Sequence, residues 1–70
     1  MVNIYPPEIA ELDRIYQKEP TVLNELNLEK AKLKYYKDQL AQAPDDRDLA
    51  RRVQYHEGEV ARLEYELKIA

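Results

Sequence analysis

The chain has 70 residues, no cysteine, one glycine and four prolines, with 36% charged and 44% hydrophobic residues. So short a chain makes at most one small domain, burying about 60% of the surface its unfolded form exposes. Without cysteine it has no disulfide framework, thiolate metal site or thiol nucleophile, so packing or self-association must supply what such staples usually do. Its net charge of −3 is too acidic for a generic polyanion binder.

The charge is striped along the chain. Residues 1 to 29 hold Glu8, Glu11, Asp13, Glu19, Glu25 and Glu29 against Arg14 and Lys18, whereas Lys30, Lys32, Lys34 and Lys37 follow with no acid among them. The opening MVNIYPPEIA lacks a basic stretch followed by an apolar run, and no segment approaches about 18 uncharged apolar residues. These features point to a cytoplasmic protein with no membrane contact.

The composition is that of helices, rich in Leu, Glu, Lys, Arg, Ala and Gln, and the prolines punctuate it. A first helix is expected from about Pro7 to no later than Glu19, with proline tolerated in its first turn and Glu8 and Glu11 near the positive end of its dipole. Pro20 breaks the chain, and Thr21 is the candidate N-cap of a second helix reaching Gln42. A single helix kinked at Pro20 is the alternative. Ala43, Pro44, Asp45 and Asp46 form a turn, Asp45 capping a third helix that runs to about Ile69. Residues 1 to 20 thus form an N-terminal segment with a short helix, and residues 21 to 70 an all-α antiparallel, coiled-coil-like helical hairpin.

Apolar periodicity sets the register of that hairpin. On the third helix Leu49, Val53, His56, Val60, Leu63, Leu67 and Ala70 recur at alternating steps of four and three, broken in chemistry only by His56. On the second, Val22, Leu26, Leu33, Tyr36, Leu40 and Ala43 follow the same rule, with Glu29 as the defect. Folding about Pro44 sets Leu40 near Leu49, Tyr36 near Val53, Leu33 near His56, Leu26 near Leu63 and Val22 near Leu67. The flanking charges agree with this register. Lys30 and Lys37 should face Glu57 and Glu64, and Lys32 should face Glu59, leaving only Glu25 against Glu66 unfavourable. At about 0.2 to 1 kcal/mol for each exposed pair, such contacts select a register more than they stabilise it.

Leu28, Tyr35, Tyr55 and Ile69 fall off the seam onto one flank, while Asn27, Lys34, Gln54 and Lys68 occupy the other. The apolar set of the first helix, Ile9, Leu12, Ile15 and Tyr16, is suited to fold back over Leu28 and Ile69. Otherwise the flank is an interface, for a second copy or a different protein. All six aromatic residues are tyrosines, which suit half-buried surfaces. The interface candidates are therefore Leu28, Tyr35, Tyr55, Tyr65 and Ile69, with Ile9, Leu12 and Tyr16 from the first helix.

Catalytic chemistry finds little footing. His56 is the single histidine, with Glu59 the one oxygen ligand a turn away, and two ligands do not make a metal site. A neutral His56 packed on Leu33 predicts stability falling from about pH 7 to about pH 5. There is no serine and no glycine-rich phosphate loop, so neither enzyme, cofactor nor small-molecule substrate is expected. Arg47, Arg51, Arg52 and Arg62 on the third helix, interleaved with Tyr55 and Tyr65, form a candidate basic ridge for RNA, and a helical-hairpin dimer is similar in architecture to small plasmid regulators that read paired RNA loops. Acids on the same helix dilute that ridge, and nucleic acid is the lesser reading.

The turn QLAQAPDDRDLARRV, residues 39 to 53, is similar to the turns of tetratricopeptide-type repeats and of type III secretion needle subunits. That resemblance implies a secretion-apparatus hairpin subunit or its co-chaperone as a further alternative. The leading expectation is a small non-enzymatic adaptor, assembly factor, co-chaperone or inhibitor, of a size common on phages and mobile elements. It would dock a helical face on another protein or on itself, with a homodimer favoured.

Overall fold

The computed structural model describes residues 5 to 69, in which three helices and no strand are found. They are α1 (Pro7–Lys18), α2 (Val22–Gln42) and α3 (Arg47–Ile69), so the fold is all-α. Proline opens α1, where a missing N–H costs nothing. Pro20 separates α1 from α2, so the kinked continuous helix does not form. Thr21 caps α2 by accepting a hydrogen bond from the Asn24 backbone N–H at 3.1 Å, and the Asn24 amide donates to the Glu19 carbonyl at 2.8 Å. The break is thus held from both sides.

The cap of α3 differs from the expected one. Asp46, not Asp45, accepts from the Leu49 backbone N–H, at 3.1 Å. The reason lies in the turn: the Asp46 N–H donates to the Ala43 carbonyl at 3.0 Å. Pro44 and Asp45 are therefore consumed as its two central residues, and the cap moves one place on.

α2 packs on both other helices, whereas α1 and α3 do not meet among the described residues. The extents of 38 × 26 × 15 Å fit this row: three mutually packed helices would have similar width and thickness, and here the width is far the larger. Placed at about 100° per residue, Leu26, Glu29, Leu33, Tyr36 and Leu40 face α3, while Leu28, Ala31 and Tyr35 point the opposite way, toward α1. Ile9 and Leu28 are accordingly buried, and so are Leu26, Tyr36, Val53 and Leu63. Cross-helix pairs join early residues of α2 to late residues of α3. Lys30 lies 3.6 Å from Glu64, and Lys37 lies 3.8 Å from Glu57.

Several expected seam positions change character. Leu67 is 42% exposed. It was expected opposite Val22, the first residue of α2, beyond which that helix offers nothing to cover it. Val22, Leu33, Leu40, Leu49 and Val60 are half-buried, and Ala43 is exposed. Ala70 lies outside the described residues.

Candidate functional site

The two chemical defects of the seam meet each other. His56 and Glu29, both 9% exposed, join through Nδ1 and Oε1 at 2.6 Å. His56 was expected against Leu33, and its polar partner is instead Glu29, one turn nearer the start of α2. A polar contact with Glu29 therefore takes the place of the expected apolar packing. Lys32, expected to face Glu59, lies 3.7 Å from Glu29, because its position on α2 points along that helix to its own preceding turn.

Around this pair the aromatic rings form a continuous chain. Tyr36 stacks on His56 with ring centres 5.3 Å apart and planes 10° apart, and Tyr55 meets His56 edge-on at 5.1 Å. Tyr5 packs edge-on against Tyr35 at 5.6 Å, and its hydroxyl lies 2.8 Å from that of Tyr36. Arg52 sits over the Tyr36 ring and Lys32 over that of Tyr5, at 5.6 and 5.9 Å. Burial, the hydrogen bond to Tyr36 and the negative charge nearby push the Tyr5 hydroxyl up to about 12, against an opposing pull from Arg52. Among the described residues no buried side-chain nitrogen or oxygen lacks a partner, so this polar interior is internally satisfied.

The arginines of the candidate ridge are separately engaged. Arg62 bonds Glu66 at 2.6 Å and Glu59 at 2.8 Å and lies 3.8 Å from Glu25, which resolves the expected clash of Glu25 with Glu66. Its hydrogen bonds to Glu59 and then to Glu66 hold its guanidinium still further above its usual range. Arg51 pairs with Asp48 and Arg52 lies over the Tyr36 ring, and both, like Arg47 at the helix start, are exposed. No group of three or more His, Asp or Glu side chains is placed to hold a metal among the described residues.

The interface candidates divide into two sets rather than sharing one flank. Leu28 is 3% exposed and Ile9 2%, so both belong to the packing of α1 on α2 and neither is open to a partner. Leu12, Tyr16 and Tyr35 are half-buried; Leu12 and Tyr35, with Ile9 and Ala31, line the shallow cleft between these helices. α1 covers Leu28 but does not reach Ile69, since it lies across α2 from α3. Tyr55, Tyr65 and Ile69 remain 63% exposed on α3. Between them lie Gly58, whose missing Cβ would meet nothing within 4 Å, and exposed Ala61.

Sequence reasoning passed over Tyr5, the pairing of Glu29 with His56, and the position of Gly58. The signal for the pair was present, as one polar defect in each seam, four residues from the expected register. No helix among the described residues is long and apolar enough to cross a membrane. No family model, curated protein or solved structure matches the chain.

Proposed function

We propose that this chain is a small non-enzymatic interaction module, in which residues 21 to 69 form an antiparallel coiled-coil-like hairpin that docks a helical face on another protein chain. Its role is that of an adaptor, assembly factor, co-chaperone or inhibitor. The observation that carries this reading is the outward side of α3, where Tyr55, Tyr65 and Ile69 are each 63% exposed, more than Ile15, Leu23 or Leu67 elsewhere on the helices. Tyrosine anchors with an apolar neighbour are the composition of binding hot spots. The buried titratable groups support the same reading, because Glu29 and His56 spend their polarity on each other at the helix seam rather than in an open cleft.

The test is affinity capture and binding measurement with the wild type and a variant carrying Tyr55→Ala, Tyr65→Ala and Ile69→Ala. The expected result is a stoichiometric protein complex weakened by about tenfold or more, or about 1.4 kcal/mol, with circular dichroism unchanged. Parallel loss of helicity and binding would refute the docking face. A complex that disappears on nuclease treatment would replace the protein partner with RNA.

A further inference from the structure

We infer that the partner seated on the outer edge of α3 is a second copy of this chain, antiparallel to the first, with the two-fold axis passing beside Gly58. This rests on the docking role proposed above and gives that face its occupant.

The row of helices ends differently on its two sides. The outer side of α1 presents Glu11, Arg14 and Lys18, all exposed, with Glu11 and Arg14 paired to each other. The outer side of α3 presents Tyr55, Gly58, Ala61, Tyr65 and Ile69, with the exposed Arg51, Gln54 and Arg62 interleaved among them. A head-to-tail contact would set the apolar edge against the polar one. A two-fold contact of α3 with α3 instead buries both apolar edges and leaves both polar ones in water, closing the assembly at two chains.

Charge selects the direction. In a parallel arrangement Arg51 would face Arg51 and Arg62 would face Arg62. In the antiparallel one centred on Gly58, Arg51 comes level with Tyr65 and Glu66 of the second copy, Arg62 with Gln54 and Tyr55 of the second copy, and each Tyr55 ring lies over Ala61 of the second copy. Cations then meet rings, an amide and a carboxylate, and no cation meets its like. Gly58 fits the same arrangement. A glycine inside a helix is unfavourable, and nothing in the single chain occupies the space a Cβ would fill. Two helices crossing there would use that space.

The experiment follows mass against concentration by sedimentation and light scattering, for the wild type and Gly58→Leu. The wild type is expected to move from 8.3 kDa toward twice that mass as concentration rises. Gly58→Leu should keep its helicity and dissociate at concentrations about tenfold higher or more, a loss of about 1.4 kcal/mol or more. Because the chain has no cysteine, Gly58→Cys gives a second and independent reading. Residues meeting at the axis fall within the roughly 4.4–6.8 Å between Cα atoms that a disulfide spans. Mild oxidation should therefore link Gly58→Cys chains into dimers and leave Asn27→Cys, on a broad face of α2, unlinked. A wild type that stays monomeric overturns the second copy while leaving docking on another protein intact. A dimer indifferent to both Gly58 variants overturns the α3 edge as its interface.

Discussion

Glu29 and His56 break the apolar pattern of their helices, and the fold gives each the other as its solution. Burying either alone would leave a polar group without water or partner, whereas together they satisfy one another at 2.6 Å. Glu29→Ala or His56→Ala should therefore each cost roughly 1.5–3 kcal/mol. Replacing both by leucine should be close to neutral, since an apolar pair of similar volume carries no desolvation penalty. Urea unfolding followed by circular dichroism measures all three, and additive losses would dismiss the coupling. Tyr5 gives a pH signature. Its hydroxyl keeps its proton to about 12 in the fold and loses it near 10 in the unfolded chain. Between those values the unfolded chain binds one proton fewer, so stability falls as pH rises through the window and the contribution is complete below it. Tyr5→Phe should flatten that alkaline fall in thermal melts, and an unchanged slope would show that the Tyr5 hydroxyl does not carry it.

At the scale of the elements, the limits of α1, α2 and α3 follow from proline positions and polar caps, which act within a few residues and are legible in the sequence. The seam is legible too, although periodicity assigns a face without saying how far the opposite helix extends. Leu63 and Leu67 belong to one stripe by spacing, yet Leu63 is 0% exposed and Leu67 is 42% exposed. Leu63→Ala should cost about 2–5 kcal/mol, and Leu67→Ala less than about 1 kcal/mol. Comparable losses in thermal or urea unfolding would mean that the end of the α2 and α3 pair closes more tightly than its geometry indicates. The ion pairs show the same division. Lys30 with Glu64 and Lys37 with Glu57 follow from register alone. Lys32 and Glu59 depend on competition from nearer groups, Glu29 and Arg62, and a pattern read one pair at a time does not contain that competition.

Over the whole molecule, placing α2 between α1 and α3 gives the middle helix two buried faces and each outer helix one. This explains why Leu28, off the seam by periodicity, is as buried as Leu26 on it. It also explains why a flank that looks continuous in sequence is split, with Leu28 and Tyr35 packed near α1 and Tyr55 and Ile69 left open on α3. The candidate site was legible only as a collection of tyrosines and apolar residues; which of them remain available depends on where a helix separated by Pro20 comes to rest. By itself the sequence determined the all-α class and the helix limits, because propensity and caps are local or act between neighbouring turns. The pairing of Glu29 with His56, the engagement of Arg62 and the exposure of the α3 edge around Gly58 were decided only by the tertiary structure. Each depends on distances between residues far apart in the chain, and those distances exist only once the helices are packed.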